Sequence, residues 1–390
     1  MSQAADGKQR GYAASHSVIR LSSKRYSFSP YATCYARPDM VWGLYSGRFY
    51  ALGWGDDPVA AYRTLKSHAV LYDVPEHPIQ ISGREAPELL RRVFCRRVDT
   101  LRIGVGRYCI ACRDDGGVLM DGVLFRLDES LYWYVPADGE FVPWLKALSI
   151  GLDVQITDPR SWVIQVQGPK AFDILADVWD REQAHALAYF HIRPCRIAGQ
   201  ELYVSRTGWT GEMGFELYTR HVAPDGPSLW THLLEVGRAH GLVAGSLESM
   251  GIRRIEAGIL DNGTDIDEGL NPYQAGLGKF VDLDAGAFVG RQALRSADRR
   301  PLLLGVISSS TTPVSGMRVL KDGRDVGRIT TGAWSPTLEA GIGYARFESL
   351  ADWLGEDVML RSGGGEAAEA RVTALPFYDP EKRIPRGLAN

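Results

Sequence analysis

Between Ser205 and Tyr218 the chain reads SRTGWTGEMGFELY, with glycines at 208, 211 and 214, carboxylates at 212 and 216, and aromatics at 209, 215 and 218. Leu202 to Val204 before it and Phe215 to Tyr218 after it have the aromatic and β-branched character of strands. Glycines that regular belong where a chain turns sharply or where something approaches the backbone closely. With both flanks extended and no bulge between them, Glu212 and Glu216 share one face of a sheet. Taken alone, the stretch reads as a glycine-rich hairpin with solvated carboxylates. Its neighbours along the chain change that reading.

Upstream, a helix is expected from near Asp57 (Val59, Tyr62, Leu65), then extended chain over Ala69 to Val74 and Pro78 to Ile81. Leu89, Leu90, Val93 and Phe94 give Arg84 to Arg97 a helical period. Arg107 to Cys112 and Val118 to Leu127 flank Asp114-Asp115-Gly116-Gly117, a strong hairpin signal. Tyr132 to Val135 reads as a strand beside it and Phe141 to Leu148 as a helix. A strand at Trp162 to Gln167, the break Gly168-Pro169 and a helix from Lys170 to Val178 repeat the rhythm. Downstream, Ser228 is placed to cap a helix over Leu229 to His240 that Gly241 ends, and Ser246 to Leu260 is a further helix. A similar unit of helix, hairpin, strand and helix thus occurs twice, near 59–150 and 160–245, with no residue-level repeat.

After a linker at 296–301 the chain becomes β-rich, with short, evenly spaced strands separated by Gly316, Asp322-Gly323 and Gly332. That spacing points to a small antiparallel barrel or sandwich. The expected division is an N-terminal extension at 1–50, an α+β region at 51–295 made of two related units (51–155 and 156–295), and a β domain at 301–390. At 390 residues, two or three domains are expected.

Composition narrows the function classes. With 45% hydrophobic and 23% charged residues, and a net charge of −3, the chain has no basic footprint for nucleic acid. The densest basic cluster, Arg91, Arg92, Arg96 and Arg97, reads as a solvated helix face. Residues 1–15 are polar and lack a secretory core, and no apolar run is long enough for a membrane span. Five cysteines, an odd number, suit a reducing, cytoplasmic setting. Cys109 and Cys112 lie in extended chain with no second ligand pair, so no metal site is expected.

Three further segments carry chemistry-bearing residues. In Gly116-Gly117-Val118-Leu119-Met120-Asp121-Gly122 a lone acid follows a tight turn; buried it needs a partner or a task, exposed it is a strand-end acid. In Ser249 to Gly258, Arg253 and Glu256 are three apart and can pair at a surface, whereas Arg254 sits on the side of Met250. Asp261 to Lys279 (DNGTDIDEGLNPYQAGLGK) is a long loop rich in acids and turn formers, without the glycine spacing of a calcium loop.

In this order the segments resemble the aminomethyltransferase family, the glycine-cleavage T-protein and its tetrahydrofolate-dependent relatives. The resemblance rests on Gly116 to Asp121, Gln167-Gly168-Pro169, Thr207 to Glu216, Arg254 to Gly258, Phe288-Val289-Gly290-Arg291 and Thr330 to Pro336, across roughly residues 55–380. It implies a three-domain α+β ring around a central folate channel, with a β-rich, barrel-like C-terminal domain. It further implies tetrahydrofolate as cofactor, with Asp121 beside the pterin N5 and N10, Glu216 on the aminopterin edge, and Arg254 and Tyr108 lining the same site. A carboxylate accepts adjacent N–H donors in a forked pair, which suits that edge.

Departures from the T-protein pattern bear on the substrate. Met120 replaces the first acid of an Asp-Asp pair, Trp209 stands where tyrosine is usual, and residues 34–55 do not follow the pattern. In these respects the chain resembles the dimethylsulfoniopropionate demethylase branch more than the T-proteins, and it resembles the vanillate and syringate O-demethylases of the same superfamily less. The expected function is therefore transfer of a methyl group from a small sulfonium, N-methyl or O-methyl compound to tetrahydrofolate. Asp121 is the expected catalytic residue, and Trp209, Trp42 and Trp54 are candidates to face the donor. His68, His77 and Tyr72 are weaker candidates to protonate an ether leaving group. The alternatives are a T-protein proper acting on a lipoyl carrier protein, and a non-catalytic folate-binding module.

Overall fold

The computed structural model describes residues 23–220, 223–363, 365 and 367–388. A small sheet opens it, made of β1 (Ser27–Phe28), β2 (Val41–Tyr45) and β3 (Arg48–Gly53) in the order β1-β3-β2. Asp57 caps α1 (Pro58–Ser67) by accepting from Val59 N, with Pro58 at the first helical position, where its missing N–H costs nothing. Strand β4 (Ala69–Val74) leads across a short loop to β5 (Ile79–Ser82). Helix α2 spans only Ala86–Val93, shorter than the expected 84–97, because Phe94 leaves the helix for a bridge to Ala111. Of the arginine cluster, Arg91 and Arg92 lie on this helix and pair with Glu88, while Arg96 lies beyond it and donates to Tyr108 O.

The expected hairpin forms as β6 (Val105–Cys112) and β7 (Val118–Asp128), turning through Gly116 at φ +88°. There follow β8 (Leu131–Pro136), α3 (Val142–Leu148), β9 (Gln155–Thr157), β10 (Val163–Gln167), α4 (Ala171–Val178) and α5 (Arg181–Ala186). Strands β11 (Ile192–Ile197), β12 (Gln200–Ser205) and β13 (Gly214–Thr219) then form a meander. Helix α6 (Gly226–Gly237) is capped by Asp225, which accepts from Ser228 N; Ser228 lies inside the helix instead of capping it. Gly241, in the left-handed region at φ +75°, ends the short turn that follows, and β14 (Leu242–Ala244) leads into α7 (Leu247–Glu256). Helix α8 (Arg291–Ser296) precedes the C-terminal strands β15 (Leu303–Ser308), β16 (Arg318–Lys321), β17 (Arg324–Ser335), β18 (Ala340–Phe347), β19 (Asp357–Arg361) and β20 (Ala367–Thr373).

These C-terminal strands close into a barrel in the order β15-β18-β17-β16-β19-β20, which leaves no open edge. The other two sheets run β11-β12-β13-β10-β4-β14 and β6-β7-β8-β5-β9. A boundary near residue 155 does not separate them: β4 pairs with β10 and β14, whereas β9 pairs with β5. The chain crosses between sheets at the β4–β5 loop, because β4 finds its apolar partners in strands far along the sequence.

Both large sheets bury both faces. One face of the six-stranded sheet packs Leu71, Ile164, Val166, Phe215 and Leu217 against the helices α4 and α6. The other meets the five-stranded sheet, where Tyr218 lies edge-on to Phe125 and Trp133 with centroids 6.1 and 6.2 Å apart. Four of the five cysteines are buried and all five are free thiols. Among the described residues no helix is long and apolar enough to cross a membrane, and no cluster of His, Cys, Asp or Glu has the makings of a metal site.

Candidate active site

Strand register sets the site. Across β12, β13, β10 and β4, the residues Ser205, Glu216, Gln165 and Tyr72 stand directly opposite one another in a row. Side chains alternate along a strand, so this row lies on the face opposite Phe215 and Leu217, toward the five-stranded sheet. Glu216, only 8% exposed, accepts from Thr207 Oγ1 and Tyr218 Oη at 2.5 Å each, from Ser205 Oγ at 3.4 Å and from Gln165 Nε2 at 2.8 Å. Burial raises its carboxyl above the ordinary value, and the three hydroxyls counter that rise. Gln165 Nε2 also donates to Glu76 Oε1 at 3.1 Å, so one amide bridges two carboxylates.

On the facing sheet, Asp121 of β7 projects on the same side as Phe125, which packs between the sheets. Tyr108 of β6 stands diagonal to it and donates to Asp121 Oδ2 at 2.8 Å, while Asn262 Nδ2 donates to Oδ1 at 2.9 Å. Burial raises the Asp121 carboxyl, with Asn262 and Tyr108 holding it down. Met120 points to the opposite face, into the core beneath α2 and α3. An acid at position 120 on this backbone would face away from Asp121, so its replacement by methionine says little about the site.

Helix α7 supplies the third side. Arg254 Nη1 donates to Asp265 Oδ2 at 2.6 Å and to Ile259 O at 3.1 Å, and Nη2 to Thr331 Oγ1 of the barrel at 3.2 Å. Its guanidinium lies 5.0 Å from the centre of the Trp209 ring. The turn at 261–265 ties this arginine to the aspartate, with Asp265 binding Arg254 and Asn262 binding Asp121. The N-terminal hairpin completes the enclosure: Tyr45 Oη donates to Pro136 O at 3.2 Å. Burial first, then the charges of Glu76, Asp261, Asp121 and Asp138, push that hydroxyl upward.

The structure therefore links Tyr108, Asp121, Arg254 and Trp209 through the 261–265 turn, and sets Glu216 on the sheet that faces the Asp121 strand. It does not bring Trp42 or Trp54 to them. Trp54 packs on Tyr35 at 5.2 Å and Trp42 on Phe28 at 5.0 Å, in the cluster on the helix-covered face of the six-stranded sheet. Trp209, half-buried, meets the Arg254 guanidinium with its ring. His68 bonds Ser67, His77 pairs with Asp158, and Tyr72 meets Ser249 Oγ at 2.9 Å.

Arg253 and Glu256 are likewise no surface pair. Both are fully buried, since α7 is clamped between α1 and the barrel. Arg253 Nε meets Glu212 Oε1 at 2.7 Å, which Lys66 also reaches at 3.0 Å, and Glu256 accepts from Tyr62 and Ser335. Glu212 is thus structural.

Two of the three regular glycines make room for one of the protein's own side chains, and the third, Gly211, lies against Ala257. A Cβ at Gly208 or Gly214 would lie 2.2 to 2.4 Å from the carboxamide of Gln167, which bonds Thr207 O and Thr210 Oγ1. Sequence reading missed Asn262, Asp265, Gln165, Glu76 and Tyr45. Only the loop carrying the first two had a signal, its length and its acids.

Comparison with known proteins agrees with this architecture. The GCVT N-terminal domain matches residues 36–285 and the glycine cleavage T-protein C-terminal barrel domain matches 300–379. An aminomethyltransferase of Streptomyces coelicolor is 34% identical over 332 residues, covering 82% of this chain and 88% of that protein. A trimethylamine-oxide aldolase of Ruegeria pomeroyi is 30% identical over 350 residues, covering 84% of this chain and 44% of that protein. The crystal structure of the glycine cleavage system aminomethyltransferase T from Bartonella henselae superposes with a TM-score of 0.78 at 24% identity, covering 90% of this chain and 98% of that one. With both domains matched in order and the fold shared along its length, the chain belongs to the aminomethyltransferase (glycine-cleavage T-protein) family.

Proposed function

We propose that this protein is a tetrahydrofolate-dependent methyltransferase that demethylates a small methylated compound. The observation that carries the reading is the buried Asp121 carboxylate, held by Tyr108 and Asn262 between two sheets and tied through the 261–265 turn to Arg254. The residues around it fit the cofactor. Glu76 Oε2 and Gln165 Oε1 are buried beside Glu216 without hydrogen-bond partners, and a flat heterocycle with N–H and carbonyl groups on its edge supplies such partners. Bound there, tetrahydrofolate supplies a nucleophilic nitrogen that takes up a one-carbon unit. Glu216, Gln165 and Arg254 would hold its ring, with Tyr108 and Trp209 alongside.

Asp121 then acts in two ways. Its negative charge stabilises positive charge developing nearby, and its raised carboxyl takes a proton more readily than a surface aspartate does. The Asp121 carboxylate, ionised when it acts, favours a donor that carries positive charge. A unit charge 4 Å from it gains about 1–4 kcal/mol, depending on the local dielectric. A sulfonium or quaternary ammonium compound therefore suits the site better than a neutral ether. A cytoplasmic setting goes with this reading.

The test is a donor screen against tetrahydrofolate with sulfonium, betaine, N-methyl and aryl methyl ether compounds, read as 5-methyl-tetrahydrofolate formed. Relatives named aminomethyltransferase favour a second reading, transfer from a lipoyl carrier protein. An aminomethylated lipoyl carrier belongs in the same screen, and turnover with it alone replaces the first reading by the second. Folate binding with no turnover of any donor would leave a folate-binding module.

A further inference from the structure

The loop between β4 and β5 carries Pro75-Glu76-His77-Pro78 from one sheet to the other. Two prolines leave it few conformations. It is fastened further where the Glu76 carbonyl accepts Arg48 Nη1 at 2.6 Å and His77 Nδ1 meets Ser46 O at 3.2 Å. Glu76 is thereby held against Gln165. The amide nitrogen of Gln165 has two hydrogens, and both are engaged, one by Glu76 Oε1 and one by Glu216 Oε1. The two acids fix the direction of this carboxamide, since the reverse would set its oxygen against both of them. Gln165 Oε1 and Glu76 Oε2 remain, each buried with no hydrogen-bond partner.

The two carboxylates are not equivalent. Glu216 accepts from three hydroxyls and the amide, whereas Glu76 accepts from the amide and its own backbone. Two carboxylates in one dry site do not both ionise, and the proton goes to the one with fewer donors. That one is Glu76. Burial, and after it the charge of Glu216, pushes its carboxyl up to about 8, against the opposing pull of Arg48.

We infer that Glu76 is a ligand-binding residue: as a neutral acid it presents its Oε2 proton beside the Gln165 carbonyl oxygen, a donor–acceptor pair matched to the C=O/N–H edge of a lactam ring. This rests on the folate reading above, since the pterin ring of folate carries such an edge. It reassigns the roles at that edge. Glu216, occupied by the protein's own donors, becomes a positioning residue that orients Gln165 and keeps Glu76 protonated.

The test uses the full chain and two stable probes, folic acid and its 4-amino counterpart aminopterin, in which the lactam pattern is reversed. Binding is measured by calorimetry at pH 7 for the wild type, Glu76→Gln and Glu76→Leu, with thermal melts taken without ligand. The wild type should prefer folic acid by more than tenfold. E76Q, whose amide hydrogen replaces the acid proton, should stay within about threefold of wild type for folic acid, and E76L should lose more than tenfold. Equal affinity of the wild type for the two probes overturns the inference, and that measurement needs no variant to fold. So does E76L binding like wild type, or E76Q falling as far as E76L. A wild type that binds neither probe overturns the folate reading itself and this inference with it.

Discussion

Replacing Asp121 by asparagine removes a charge while leaving the shape of the side chain in place. Asn262 Nδ2 at 2.9 Å and Tyr108 Oη at 2.8 Å both donate to the native carboxylate. In the variant the carboxamide oxygen keeps Asn262, and its nitrogen faces Tyr108, whose hydroxyl turns to accept. The hydrogen-bond set survives, so the cost to stability is on the order of 1 kcal/mol or less. What disappears is the group that takes a proton beside the reacting centre. A positioned base contributes about 10²- to 10⁴-fold, so kcat for methyl transfer should fall by that factor while tetrahydrofolate affinity changes only a few-fold. A pH dependence goes with it. Burial raises the Asp121 carboxyl above its ordinary 3.8, and the group acts when ionised. Wild-type kcat should therefore fall as pH drops through that raised value, and D121N should lack this limb. Single-turnover formation of 5-methyl-tetrahydrofolate, with cofactor binding measured in parallel, separates the two effects. A D121N enzyme with wild-type kcat, or one whose loss lies wholly in binding, refutes the assignment.

Three further perturbations probe the frame of the site. Gly214→Ala puts a Cβ about 2.4 Å from the buried Gln167 carboxamide, and displacing that amide from its partners should destabilise the protein by about 2–4 kcal/mol, measured as a lower urea midpoint. Glu212→Ala leaves the fully buried Arg253 with Glu256 alone and should cost about 3–5 kcal/mol by the same measurement, far more than a surface pair is worth. Asp73 is buried under the hydroxyls of Ser29 and Tyr35, and burial pushes its carboxyl up to about 7. The native chain therefore holds a proton that the unfolded chain releases above about pH 4. Stability contributed by Asp73 is fully present below about pH 4 and declines as pH rises to about 7, so the wild-type urea midpoint should fall relative to that of Asp73→Asn across that window. A wild-type midpoint that rises relative to the variant's with pH would contradict the burial argument.

Local chemistry made much of the fold legible. The β6–β7 hairpin was readable because Asp-Asp-Gly-Gly sets a turn between two period-2 runs, and the barrel strands because short alternating runs are spaced by glycine turns. Helix α2 came out short, since the bridge from Phe94 to Ala111 joins residues far apart in sequence and outweighs a helical period. The aromatic residues of the N-terminal hairpin had no local mark to tell packing from ligand contact. Trp42 and Trp54 fill a core, while Tyr45, a few residues away, bonds the carbonyl of Pro136, which lies opposite Gly122 beside Asp121.

For the site the division is sharper. Motif order alone was enough to place the chain in its family and to single out Asp121, Glu216 and Arg254. Period-2 alternation says which residues of one strand share a face, and it is silent on what that face meets. That Glu216 and Gln165 lie on the face turned to the sheet that carries Asp121 depends on β10 pairing with β13 and β4 and on the two sheets packing face to face. That Arg253 and Glu256 are a buried pair depends on the barrel closing over α7. Glu76 is an unremarked acid between two prolines until the crossover of its loop sets it on the amide of Gln165. Those arrangements are long-range, and the energy that holds a side chain in such a place comes from partners that no local stretch of sequence contains.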